Sequence, residues 1–257
     1  AAEYGRNPQQ VERIFERGKP YLAYLLSEVQ KRNFPTEIVL LPFVESGYDP
    51  FAFSYGRAAG MWQFISSTGK MYGLQQDWWY DGRRDVVEST QAALNYLDYL
   101  QDKFDGDWLL AVAAYNSGSG AVSKAIRKNR EAGTPTDFWH LKLPVETSVY
   151  VPRLLAICAI TADPERYGVE LPPLGMSPVF TVVDIESQLD IAVAAELAGI
   201  RTDELHQLNP GFNRWATPPE GPHHLAIPIE KSAAFTQNLA DLPDSERIKW
   251  IRHKIKA

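Results

Sequence analysis

Leu41-Pro42-Phe43-Val44-Glu45-Ser46-Gly47-Tyr48-Asp49-Pro50 constrains this chain more than any other stretch, because it sets one carboxylate at the end of an apolar helical run. Ile38, Leu41 and Val44/Glu45 recur at helical spacing, which predicts a mostly buried helix from Thr36 to Val44. Gly47, Asp49 and Pro50 stop it, so Glu45 is expected as the last helical residue, on a rigid apolar stem. A carboxyl against apolar walls resists ionisation and its pKa rises. A Glu tuned to about 6–7 is the usual general acid of glycosidic bond cleavage. On position alone the plainer reading, a solvated helix-end carboxylate, comes first; the rest of the chain reverses that order.

The neighbouring segments supply a helical frame. Asn7 to Lys31 carries Val11, Ile14/Phe15, Leu22, Leu25/Leu26 and Val29 on one face, and Gly18 with Pro20 is expected to break it in two. Gly60-Met61-Trp62-Gln63-Phe64-Ile65 is apolar except for Gln63 and reads as a small strand or a lining segment; an amide in such surroundings needs a partner. Ser66 or Ser67 caps a short helix ending at Gly73. Asp85 with Glu88 is a capping-box signal, and Asp107 caps a helix from Trp108 to Asn116 that is apolar nearly all round and hence central. Tyr115 and Asn116 project from its end, where Gly118 and Gly120 allow a sharp turn. Residues 129–144 read as a polar loop, and Glu146 to Ala162 as an apolar helix with Tyr150 one turn from Glu146 and Pro152 bending it.

Pro164, Pro172, Pro173 and Pro178 then mark a change of pattern. Phe180 to Val183 and Leu225 to Ile229 read as strands, and Ile191 to Ala198 and Asp203 to Asn209 as short helices between them. The expected organisation is a mainly α chain: a helical domain over 1–170, a Pro-rich linker over 171–178, a small α+β (βααβ) module over 179–231 and a tail over 232–257. A module of about fifty residues is near the lower limit of independent stability.

Composition excludes several classes. Net charge is −6 over 257 residues, which argues against a nucleic-acid partner, since phosphate binding needs a basic face. The single Cys158 rules out an internal disulfide and a Cys-based metal site, and fits a buried small hydrophobe. His223 and His224 are adjacent, so they do not share a helix face as metal ligands would, and they are expected at the surface. No metal or cofactor is expected: the chain has no phosphate loop and no dinucleotide fingerprint. No segment is expected to reach the roughly 18–20 apolar residues that span a bilayer. No signal peptide is visible and residue 1 is Ala, which reads as a processed or trimmed piece.

Most carboxylate glycosidases need two acids. Asp49, Asp81 and Asp85 are the available second candidates, yet they read as a turn residue before Pro, a turn residue in Tyr-Asp-Gly and a helix cap. Substrate-assisted chemistry removes the requirement, because a 2-acetamido group can attack its own anomeric carbon while one Glu serves as acid and then as base.

Glu45-Ser46, Gly60-Met61-Trp62-Gln63 and Ala114-Tyr115-Asn116 resemble, in order and spacing, three motifs of the family 1 lytic transglycosylases, and Glu146-Thr147 with Tyr150-Val151 resembles the fourth. The likeness spans residues 30–165, and the flanks Phe104 to Leu110 and Asp137 to Trp139 resemble a membrane-bound branch of that family. The resemblance implies a goose-lysozyme-like fold and cleavage of the β-1,4 bond between N-acetylmuramic acid and N-acetylglucosamine in peptidoglycan, leaving 1,6-anhydro ends. It implies Glu45 as acid and base, and Ser46, Gly60, Met61, Gln63, Tyr115, Asn116, Glu146 and Tyr150 as substrate-binding residues. Met61 would be an apolar wall that keeps Glu45 protonated. It also implies a periplasmic location, with a lipid anchor in the outer membrane lying outside these residues.

A lysozyme-type muramidase using water, and a wall-binding protein without catalysis, are the alternatives. Phe180-x-Val182, Leu189-x-Ile191-Ala192, Leu205-x-x-Leu208-Asn209 and Leu225-x-Ile227-Pro228 resemble a LysM repeat, a module that grips N-acetylglucosamine polymers. The family's Gly-Asp-Thr turn is replaced by Asp184-Ile185-Glu186-Ser187, so a brace docked on the helical domain is preferred over a glycan-binding module. Arg252 to Lys256 reads as the start of a truncated further repeat or as a basic patch.

Overall fold

A computed structural model describes residues 4–173, 175 and 177–249; the basic stretch Arg252 to Lys256 and part of the expected linker lie outside them. Helix α1 (Pro8–Lys31) begins where the Asn7 side chain accepts from the Gln10 amide at 3.2 Å. It runs unbroken through Gly18 and Pro20, which corrects the expected two pieces. Proline inside a helix costs about 3 kcal/mol, but this helix buries Val11, Phe15, Tyr21, Leu22, Leu25 and Val29. Gly18 has a packing role instead: a Cβ there would stand 2.6 Å from the ring of Tyr48, which is itself fully buried.

The stretch 36–46 forms a 3-10 turn (Thr36–Leu40) followed by α2 (Leu41–Ser46) rather than one helix. Pro42 explains the restart: in the first helical turn its missing N–H has no partner to lose. Gly47 adopts φ 62° and ends α2, so Glu45 is the penultimate helical residue.

Gly60 to Phe64 is a tight turn fastened by bridges of Ala59 to Phe53 and Phe64, not a strand. Short α3 (Ser66–Met71) follows, with no side-chain cap from Ser66 or Ser67. Asp85 caps α4 (Val86–Lys103) through the amides of Val87 and Glu88, and Asp107 caps α5 (Trp108–Ser117) through those of Leu109 and Leu110, as expected. Ala111 to Ala114 of α5 are buried at the centre. Helix α6 (Ser119–Glu131) runs into the segment expected as loop.

Helix α7 (Val145–Ala162) packs on α5 and buries Thr147, Tyr150, Val151, Leu154, Ile157 and Ile160. Among the described residues it is the one helix long and apolar enough to cross a membrane by length and composition, contrary to the expectation that no segment reaches that length. Its place in the main core accounts for that apolarity.

The C-terminal module pairs β1 (Phe180–Asp184) antiparallel with β2 (His224–Pro228), in the register Phe180–Pro228 to Asp184–His224. Between the strands lie α8 (Ile191–Ala198) and α9 (Thr202–Leu208), giving the expected βααβ order. The expected boundary at 231 is corrected: α10 (Ile229–Ala240) continues from β2, and its Phe235 is fully buried in the module core with Leu189, Leu205, Leu225 and Ile227.

The module is docked on the helical domain. Phe180 joins the main core, with its ring 5.3 Å from Tyr24, and Tyr80 of the helical domain joins the module core against Phe212. The Asp81 amide donates to the Gly211 carbonyl at 2.9 Å, and the Asn213 amide to that of Trp79 at 2.7 Å. Trp78, Trp79 and Trp215 cluster at the same seam.

His224 is not at the surface as expected. Its Nε2 lies 3.6 Å from Asp85 and 3.9 Å from Glu88, across the seam. The Asp85 carboxylate holds the imidazole above its ordinary pKa, against the opposing effect of burial. A raised histidine stabilises fully below its unfolded value of about 6.5, and the contribution disappears as pH rises through the folded value. Replacing His224 with Asn should therefore lower Tm at pH 5.5 by about 2 °C, for about 1 kcal/mol, and change it little at pH 9. Equal shifts at both pH values, followed by calorimetry, would show that the pairing is not electrostatic.

Candidate active site

A cleft of about 530 Å³ opens beside the C-terminal end of α2. Glu45, Gln63, Tyr115, Asn116, Glu146 and Tyr150 all line it, although they come from four separate parts of the chain. The Tyr150 hydroxyl donates to Glu45 Oε1 at 2.5 Å. Burial pushes the Glu45 carboxyl up to about 7; the Tyr150 hydrogen bond opposes this and the charge of Glu146 adds to it. Near neutral pH such a group is present in both protonation states, which suits it to give a proton in one step and take one in the next.

The other lining residues are held by the backbone or by one another. Gln63 sits at φ 51°, and its Nε2 donates to the Gly60 carbonyl at 2.8 Å, so the amide predicted to need a partner finds one in its own turn. The Tyr115 hydroxyl donates to the Trp62 carbonyl at 2.9 Å, and Trp62 is pinned in turn by its indole N–H to Thr90 Oγ1. Asn116 Oδ1 accepts from the buried Thr147 hydroxyl at 2.8 Å. That bond fixes the amide orientation and leaves its N–H groups for the cleft.

Three predicted site residues do not line the cleft. Ser46 Oγ donates to the Met61 carbonyl at 2.8 Å and accepts from the Asp49 amide, so it ties the end of α2 to the 60–63 turn. Met61 is fully buried in the main core. Gly60 has φ 83°, and a Cβ there would fall 1.7 Å from the Arg83 carbonyl oxygen. All three carry structure immediately behind the cleft. Their motif spacing marked proximity but could not tell lining from backing.

The candidate second acids are also engaged elsewhere. Asp49 accepts from the Phe51 amide, Asp81 forms a forked pair with Arg83, and Asp85 caps α4. Among the residues lining the cleft the carboxylates are Glu45 and Glu146.

Tyr96, Thr68 and Arg153 also line the cleft and were not singled out in the sequence. Arg153 follows Tyr150 by one helical turn, a usable signal. Tyr96 lies beside the apolar face of α4 and offered none. Its ring meets that of Tyr115 at 5.4 Å.

The class of protein is thus a mainly helical domain with a buried glutamic acid raised to near neutrality in a cleft, carrying a docked βααβ module. Residues 25–138 match the Transglycosylase SLT domain family, and residues 179–244 match the LysM-like domain of lytic transglycosylase MltD, so the chain carries an SLT transglycosylase domain followed by an MltD-type LysM-like domain. The second match takes in α10, in keeping with the corrected module boundary.

The chain is 45% identical over 238 residues to the membrane-bound lytic murein transglycosylase D of Escherichia coli strain K12, covering 93% of this chain and 53% of that protein. It thus spans about half the length of that relative. It is 29% identical over 108 residues to the membrane-bound lytic murein transglycosylase F of Aeromonas salmonicida, covering 40% of this chain and 21% of that one. Among solved structures, an inactive mutant of the lytic transglycosylase Slt from Pseudomonas aeruginosa aligns over 57% of this chain and 24% of that chain, at 22% identity and a TM-score of 0.43.

Proposed function

We propose that this chain cleaves the β-1,4 bond between N-acetylmuramic acid and N-acetylglucosamine in peptidoglycan and leaves 1,6-anhydro ends. The observation that carries the reading is the cleft-lining Glu45 carboxyl, pushed up to about 7 and hydrogen-bonded by Tyr150. Glu45 protonates the leaving glycosidic oxygen as the C1–O bond breaks. The 2-acetamido oxygen of the muramyl residue closes on C1, giving an oxazolinium-like species. Glu45, now a carboxylate, takes the proton of the C6 hydroxyl, whose oxygen displaces the acetamido oxygen from C1. In net balance the glycosidic C1–O bond breaks and the C1–O6 bond forms, the acetamido–C1 bond being made and broken between them; Glu45 regains its proton, and no water is consumed.

The Asn116 N–H groups and the Gln63 amide oxygen meet sugar oxygens, Glu146 grips a neighbouring residue, and Tyr115 keeps the wall beside Glu45 in place. Ser46, Gly60 and Met61 act from behind the wall by shaping the turn. The substrate is the peptidoglycan glycan strand, which puts the protein in the periplasm. Outer-membrane anchoring of the protein is part of the same proposal. The LysM-like module acts as a brace.

Mass spectrometry of muropeptides released from purified peptidoglycan tests the reaction. Anhydro ends from the parent support it. Reducing ends that take up heavy oxygen from labelled water indicate hydrolysis, for which Glu146 is the second carboxylate in the cleft. Binding without products indicates a wall-binding protein.

Tyr150 supplies a separate check. Its hydrogen bond favours the ionised form of Glu45. Tyr150→Phe should move the alkaline limb of the kcat/KM profile upward by about one pH unit, a hydrogen bond to a charged group contributing about 1.5 kcal/mol. A limb that stays in place would mean that Glu45 does not set it.

A further inference from the structure

Two elements with residues in the cleft run on beyond it and are bridged by a lysine. On α4, the ring of cleft-lining Tyr96 stacks nearly parallel, at 15°, with that of Tyr99, which is about half exposed. On the other side, Ser117 and Gly118 line the cleft and lead into Ser119. Lys103 closes the gap between them: its Nζ donates to the Tyr99 hydroxyl at 2.9 Å and to Ser119 Oγ at 3.1 Å. Both partners are neutral hydroxyls, and among the described ion pairs no carboxylate is matched to this ammonium. A lysine ammonium has three donors, so the third N–H remains for a ligand; the ammonium also lies 5.3 Å from the centroid of the Tyr99 ring, which does not neutralise its charge.

The chemistry of the substrate read above supplies a partner. Each muramyl residue carries a lactyl arm that ends either in its own carboxylate or in a peptide bearing carboxylates. We propose that Lys103, held by Tyr99 and Ser119 next to the cleft-lining Tyr96 and Gly118, receives a carboxylate on the muramyl side arm of a bound glycan strand. The proposal rests on the peptidoglycan reading of the cleft. The half-exposed Tyr99 ring lies beside the cleft-lining Tyr96, and the positioned ammonium meets the anionic arm. Holding Lys103 in advance between two hydroxyls reduces the side-chain ordering that a long flexible cation otherwise loses on binding. The attraction is between partly exposed charges, so added salt weakens it.

The test compares kcat/KM on soluble glycan strands with native carboxylates and on the same strands with carboxylates capped as methylamides. The parent should favour the native strands by roughly three- to tenfold at low salt, the range expected of a charge-assisted contact at a rim. The ratio should fall towards one in 0.5 M salt and in Lys103→Met, and return in Lys103→Arg. Strands stripped of peptide by an amidase, which frees the lactyl carboxylate, locate the group: a preference kept there assigns it to the lactyl arm, and one lost there to the peptide. An equal ratio in parent and Lys103→Met, or no preference in the parent, overturns the proposal. Failure of the underlying reading looks different, since the parent would then release no anhydro products from any of the strands.

Discussion

Glu45→Gln is expected to lower anhydro-muropeptide formation by about three orders of magnitude or more, because it removes a proton donor that must also act as acceptor. The substitution keeps the shape of the side chain and its hydrogen bond to Tyr150, so binding of glycan strands should persist. The same variant should be more stable than the parent in a pH-dependent way. The folded-state pKa of Glu45, about 7, lies above the ordinary carboxylate value, so the folded parent binds the proton more tightly than the unfolded chain. Below about pH 4.3 that advantage is fully present, and it disappears as pH rises through 7. Parent and Gln variant should therefore melt together at pH 4, and the variant should gain about 2 kcal/mol at pH 8. Thermal melts across this range, alongside product analysis, check both halves. Full activity in Glu45→Gln would sink the assignment. A Tm difference that does not change with pH would show that the carboxyl is not perturbed by its surroundings.

Gly60→Ala is expected to be the most destabilising single-methyl change near the site. Two independent penalties meet there. A residue with a Cβ is strained at φ 83°, and the added carbon would lie 1.7 Å from the Arg83 carbonyl oxygen, which is backbone and cannot swing aside. A loss of about 4 kcal/mol or more is expected, at the diagnostic end of single substitutions. Urea unfolding of the full chain measures it, and a loss under about 1 kcal/mol would mean that the turn relaxes without cost. Activity should fall with stability, since the same turn presents Gln63 and carries the Met61 and Trp62 carbonyls that fasten Ser46 and Tyr115. Gly60, read from its motif as a substrate contact, thus matters through backbone geometry.

Much of the architecture was written in local pattern. The Asp85 and Asp107 caps, the all-round apolarity of α5, the strand and helix order of the βααβ module and the placement of Glu45 near a helix end all depend on residues within one or two turns of each other. Their energetics are local, so spacing reveals them. What spacing could not report were contacts between distant segments. Pro20 was expected to break α1, yet tertiary burial of one helix face outweighs a missing hydrogen bond. Gly18, expected as a breaker, is the seat of the Tyr48 ring. His224 looked like surface because its carboxylate neighbours lie more than a hundred residues away on α4.

The same division runs through the site. Ordered motifs were enough to name the residue types that assemble: one glutamic acid without a dedicated acidic partner, and an amide, a tyrosine and an asparagine. Which of them face the cleft depends on packing between distant segments. A hydroxyl or a methionine in a motif reads the same whether it meets substrate or a backbone carbonyl, and burial is a property of the packed chain. Ser46 and Met61 became backing, while Tyr96 entered the site from a helix that carried no signal of it. The raised pKa of Glu45 arises in the same way: a carboxyl gains it only once α2, the 60–63 turn, α5 and α7 have closed around it and buried it.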